Sequence, residues 1–180
     1  MRAALMVVQL LNDLGLQRVG RKASIIYHSD KIGEALEYNL FCIGGPDANN
    51  VTAMVLNRIG YPIPENNGLA PGLQPGRIYD RNGVDAGDGS REALDFGRLI
   101  KIQNPYNKDR CVFILWGSSG YGTWAAAKLL HSGQLRSLPR VRQGLDIEIQ
   151  FQTEISDRVP HGPEITHDKE LLSQVPGLAV

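Results

Sequence analysis

The chain has 180 residues, 42% of them hydrophobic and 21% charged, the composition of one globular domain with a single substantial core. Nineteen Lys and Arg balance nineteen Asp and Glu, so no net field draws the chain to nucleic acid or to an anionic membrane. No apolar run nears the roughly 20 residues that span a bilayer. Gln9, Asn12 and Asp13 interrupt the apolar start, with no small-residue cleavage site after it. Cys42 and Cys111 sit in apolar runs without metal-ligand spacing and read as two thiols of a reducing compartment. The expectation is a cytoplasmic protein.

Residues 3–14 carry Leu5, Val7, Val8, Leu10 and Leu11 at helical spacing, closed by Gly15. The run 23–28 is β-branched and aromatic and predicts a strand, with Ser29 or Asp30 capping a brief helix through Glu37. Residues 39–43 are nearly all apolar, as in a strand buried on both faces. Gly44-Gly45-Pro46 breaks it, and residues 47–50 cap a helix striped by Val51, Met54, Val55 and Ile59 with Gly60 as its stop. Residues 61–89, rich in Pro, Gly, Asn and Asp, read as a long loop with a short strand at 77–79.

Residues 95–102 alternate toward their end and predict a strand with one wet face; 104–107 predict a turn. Residues 111–116 form an apolar strand, 117–122 a glycine-rich turn, and 123–131 an alanine-rich helix. A strand over 145–155, edge or one-sided, sets Ile147, Ile149 and Phe151 against Glu148, Gln150 and Gln152. The tail from 156 has turn chemistry and a short helix near Glu170. Strands alternating with helices predict one α/β domain, core 23–155, with a parallel or mixed sheet and helices on both faces in three layers. In such sheets ligands bind beyond the carboxyl ends of the strands.

Two glycine turns supply candidate binding residues. Gly117, Ser118, Ser119, Gly120, Tyr121, Gly122 and Thr123 offer backbone N–H groups at a helix start, where a phosphate is favoured. The order of glycines matches neither a P-loop nor the dinucleotide fingerprint. Gly44, Gly45 and Asn49 make a second such offer, Asn49 as a ribose or base reader or as a cap. A serine hydrolase is a rival: Ser118 or Ser119, then Asp157, then His161 or His167 run in α/β-hydrolase order, although Tyr121 stands where the elbow needs glycine. Asp80, Asn82, Asp85 and Asp88 make an acidic loop without EF-hand spacing, and no His, Cys and carboxylate cluster has metal-site spacing.

The order of motifs resembles a poorly characterised prokaryotic domain with a GGP-x-x-N strand end, a D-[YF]-G segment, an NP-[FY]-N turn and a G-[YF]-GT helix start. Here these are Gly44-Gly45-Pro46 with Asn49 and Thr52, Asp95-Phe96-Gly97, Asn104-Pro105-Tyr106-Asn107 and Gly120-Tyr121-Gly122-Thr123. Related segments are similar to parts of archaeal surface-layer proteins. The resemblance covers residues 39–131 and implies a Rossmann-like fold near the nucleotide-recognising TIR-like and SLOG-like domains; Lys108 departs from it where a second proline often stands. Together these features predict a nucleotide- or phosphometabolite-binding domain taking a nucleotide or NAD-like ligand. As a nucleotide or nucleoside hydrolase it would use Asp47 or Asp95. The alternative is a non-catalytic assembly or protein-interaction domain, a homo-oligomer or part of a larger assembly, in which the glycines are packing devices.

Overall fold

The structure, a computed structural model, describes residues 2–13, 32–64, 77–80, 82, 84–87 and 92–171. In chain order the elements are helix α1 (Arg2–Asp13), the single turn α2 (Ile32–Ala35), strand β1 (Leu40–Ile43) and helix α3 (Asn50–Arg58). Then come β2 (Ala93–Asn104), β3 (Asn107–Gly117), α4 (Gly120–His131), a 3-10 turn (Gln134–Ser137) and α5 (Pro139–Arg142). Strands β4 (Ile147–Ser156), β5 (Val159–Pro160) and β6 (Glu164–Glu170) complete a six-stranded sheet.

The sheet order is β1-β3-β2-β4, with β5 and β6 both pairing with β4. Only β1 and β3 are parallel, Leu40 opposite Val112 through Ile43 opposite Leu115; the other pairings are antiparallel. The chain is therefore a mixed α/β fold, and of the two sheet types expected the mixed one holds. The reason is local. Pro105 and Tyr106 alone join β2 to β3, with Asn104 opposite Asn107, and so short a link joins only antiparallel strands.

Alternation along the strands builds two cores. Leu99, Leu115, Ile147, Ile149 and Phe151 face Ala3 and Val7 of α1 and Ala125, Ala126, Ala127 and Leu129 of α4. Three consecutive alanines keep α4 close to the sheet. On the other face Ile100, Ile102, Val112, Ile114 and Trp116 meet Val55 and Leu56 of α3 with Cys42 and Tyr61. A satellite cluster of Ile78, Ala93 and Ile155 packs under Tyr121.

Four expectations change. The strand expected at 77–79 is bridging at Tyr79 alone, to Asp85 and Leu94. Strand β4 is no edge, for it lies between β2 and β6. The tail from 156 supplies β5 and β6, and the helix expected near Glu170 is the end of a strand. Its sequence, Glu-Ile-Thr-His-Asp-Lys-Glu, hides the strand because a charged edge strand carries no apolar alternation. Helix α4 starts at Gly120 instead of Thr123, so Gly120 and Gly122 are helical. The strand expected at 23–28, its Ser29 or Asp30 cap and the Gly15 stop lie outside the described residues. Among the described residues no helix is long and apolar enough to cross a membrane.

Candidate functional site

Because β1 and β3 run parallel, their carboxyl ends bring the two glycine turns to one edge of the sheet. Gly44 continues the ladder, its N–H donating to Leu115 at 2.9 Å. Its φ of +106° favours glycine. A Cβ on Gly45 would lie 2.6 Å from Trp116 Cδ1, so the indole closes against bare backbone there. Asn49 is the N-cap of α3: Oδ1 accepts from Val51 and Thr52 N–H at 2.9 and 3.2 Å, and Nδ2 donates to the Ile43 carbonyl at 3.1 Å. Thr52 is buried and donates to the Gly44 carbonyl at 2.9 Å. Asp47 is exposed on the turn.

The second turn is organised by Asp95. This β2 carboxylate is 1% exposed and accepts from the hydroxyls of Ser118 and Ser119, from Gly122 N–H at 2.5 Å and from Phe96 N–H at 2.8 Å. Ser119, the N-cap of α4, accepts from Tyr121 N–H at 3.1 Å through Oγ, and its carbonyl accepts from Thr123 N–H at 3.2 Å. The first-turn donors of α4 at Tyr121, Gly122 and Thr123 are thus each bound. A helix N-terminus favours an anion, and here the Asp95 carboxylate is that anion. Burial pushes its carboxyl above the usual range, against the pull of its donors from Ser118, Ser119, Phe96 and Gly122.

The candidate glycines divide by role. A Cβ on Gly122 would stand 2.5 Å from the Phe96 carbonyl and 2.9 Å from Gly117 Cα, so these two glycines let α4 touch the end of β3; at Gly120 a Cβ meets nothing within 4 Å. Among the candidates only Gly44 has a positive φ. Gly122→Ala is therefore expected to destabilise the protein by about 1–3 kcal/mol through overpacking against backbone. Gly120→Ala should leave it within about 1 kcal/mol of wild type, toward greater stability. Thermal melts of both variants check this.

Both serine hydroxyls are directed at Asp95, whereas a hydrolytic serine hands its proton to histidine. Asp157 stands in the β4–β5 turn with φ +51°. His161 follows β5, its N–H on the Glu154 carbonyl at 2.7 Å, and His167 is opposite Gln150 in β6. In the acidic loop Asp80 accepts from Asn82 and Val84 N–H at 2.8 and 2.9 Å, and Asp85 pairs with Arg77; Asp88 lies outside the described residues. Among the described residues no three His, Cys, Asp or Glu stand where they could hold a metal ion. Burial pushes the Cys42 thiol up to about 12, so it is inert at neutral pH.

A second cluster escaped sequence reasoning. Glu148, expected on the wet face of its strand, is fully buried. It accepts from Tyr61 OH at 2.8 Å, Gln150 Nε2 at 2.8 Å, Lys169 Nζ at 2.9 Å and Arg98 Nη1. Burial pushes its carboxyl up, but Lys169, Gln150, Tyr61 and Arg98 together hold it below the usual value. Arg98 also lies over the Trp116 ring, 5.5 Å from its centroid. Between Arg98 and the end of β3 is a cavity of about 70 Å³. The only signal in the sequence was a carboxylate on β4 in the same alternation phase as its two neighbouring glutamines.

No protein-family model, no curated protein and no solved structure matches this chain.

Proposed function

We propose that this chain is a non-catalytic assembly or protein-interaction domain. One observation carries the reading: the anion position at the N-terminus of α4 is filled by the chain's own Asp95, bound to Gly122 N–H and to both turn serines. The other motif residues bond the scaffold in the same way. Asn49 and Thr52 tie the first turn to α3. Asn104 Nδ2 donates to the Leu36 and Tyr38 carbonyls at 2.7 and 2.8 Å, and Asn107 Nδ2 to that of Glu37 at 2.9 Å. The resemblance to segments of surface-layer proteins agrees with a domain whose motifs serve its own architecture.

A second reading, a nucleotide- or phosphometabolite-binding domain, is favoured by the parallel β1–β3 pair that brings both glycine turns to one edge. In that reading the β1–α3 and β3–α4 units, whose helices cover opposite faces, are a three-layer Rossmann-like centre with an antiparallel extension.

A thermal-shift screen against nucleotides, NAD, nucleosides and sugar phosphates separates the two. The assembly reading expects no shift, together with concentration-dependent association in sedimentation velocity. A ligand at 100 times its Kd stabilises by about 2.7 kcal/mol. A rise in Tm of several degrees with one of these compounds would replace the first reading by the second.

A further inference from the structure

We infer that the cavity beside Arg98 is a carboxylate-binding site. It has a volume of about 70 Å³ and is lined by Arg98, Trp116, Phe96, Gln150, Ser118 and Thr166 among others. That holds a few waters or one carboxylate head, well below the roughly 300 Å³ of a pocket for a whole nucleotide.

Two observations point to an anion, and a third concerns the wall of its cavity. The first is the state of the guanidinium. Arg98 bonds Tyr61 and Glu148 through Nη1 alone, so among the described residues the Nε–Nη2 edge has no partner. Its side chain is nonetheless only 12% exposed. That edge is the fork that matches the two oxygens of a carboxylate. The guanidinium carbon lies over the Trp116 ring, 5.5 Å from its centroid.

The second is charge. Glu148 is one carboxylate shared by two cations, Arg98 and Lys169. Asp95, on the same strand as Arg98, is bound to four donors of its own, Ser118 among them. A second carboxylate on the free edge of Arg98 balances the cluster.

The third is backbone. Gln150 pairs with His167 and Phe151 with Ile165, so Thr166 is an extra residue in β6, a bulge. A bulge re-aims a side chain at the cost of ladder pairing, and Thr166 is among the residues that line the cavity.

The carboxylate comes either from a free small molecule or from an Asp or Glu side chain of a second copy of this chain. The site does not depend on the assembly reading, because a nucleotide screen and the titration below succeed or fail separately.

The test is a titration of the intact, ¹⁵N-labelled chain with sodium acetate against sodium chloride at equal ionic strength, read at Arg98 Nε–H and the Trp116 indole N–H. Saturable shifts at both signals with acetate alone are expected. A wild-type Arg98 signal that does not move, or moves equally with chloride, overturns the proposal. Arg98→Lys keeps the charge and removes the fork, so acetate binding should be lost. Because Arg98 also braces Glu148, Thr166→Trp is the second variant. It closes the cavity mouth from an exposed edge strand, and retained acetate binding there overturns the site. Sedimentation velocity with saturating acetate then assigns the source. Dissociation of an oligomer points to the second copy, and an unchanged profile to a free carboxylate.

Discussion

Asp95→Ala is expected to lower the stability of the protein by about 3–5 kcal/mol, seen as a fall in the urea midpoint with an unchanged slope. The substitution strips the acceptor from Gly122 N–H and from two serine hydroxyls in a site where Asp95 is 1% exposed. A buried donor left without a partner costs about 1–3 kcal/mol. The serine hydroxyls rotate to other acceptors more easily than the fixed amide does, so the amide carries most of the loss. Asp95→Asn keeps one oxygen but sets an amide donor among donors, and should cost less, about 1–3 kcal/mol. A site that served only to hold a ligand would show neither loss.

Glu148→Ala is expected to cost a similar amount, about 3–5 kcal/mol, by leaving the Arg98 charge inside without its carboxylate. Replacing both members, Glu148→Leu with Arg98→Met, should recover much of that loss, since a buried ion pair is often no better than a packed apolar one. The two buried carboxylates also answer pH with opposite signs. Glu148 has a folded-state value below its unfolded one. Its contribution is present above the unfolded carboxylate pKa and is lost as pH falls through the folded value. Asp95 has a folded-state value above its unfolded one. Its contribution is greatest below the unfolded pKa and declines as pH rises through the folded value. Stability measured from pH 7 down should therefore fall less steeply in Glu148→Gln and more steeply in Asp95→Asn than in wild type. The same slope in all three proteins would refute this assignment.

The legible parts of the sequence were those in which one local rule decides. Leu40 to Ile43 and Cys111 to Trp116 are apolar without interruption and form β1 and the end of β3. Asn104 to Asn107 is a turn by composition and is the β2–β3 turn in fact. The glycines of 117–122 misled because glycine signals a loop by propensity, whereas Gly120 and Gly122 sit in the first helical turn, Gly122 for want of room beside β3. That crowding is a tertiary fact. The site depends on long separations in the same way: Asp95 meets Ser118 and Gly122 across 23 and 27 residues, and Tyr61 meets Glu148 across 87. Glu148 looked wet because alternation reports which face a residue shares, and the neighbouring strands decide whether that face is covered.

The strand order has a consequence for how the chain assembles itself. The β2–β3 hairpin closes on two residues, whereas β4 returns past β3 after α4 to pair with β2. Strand β1 is added across a longer span still: Cys111 N–H reaches the Asn39 side chain across 72 residues. Short loops close within microseconds and distant pairings wait on them, so the β2–β3 hairpin forms first and the β1–α3 arm docks onto its β3 edge. The cost of closing that arm grows only with the logarithm of the connecting length, about 0.6 kcal/mol for each doubling. A longer or shorter connection between α3 and β2 therefore changes the closure cost of that arm by only a fraction of a kcal/mol.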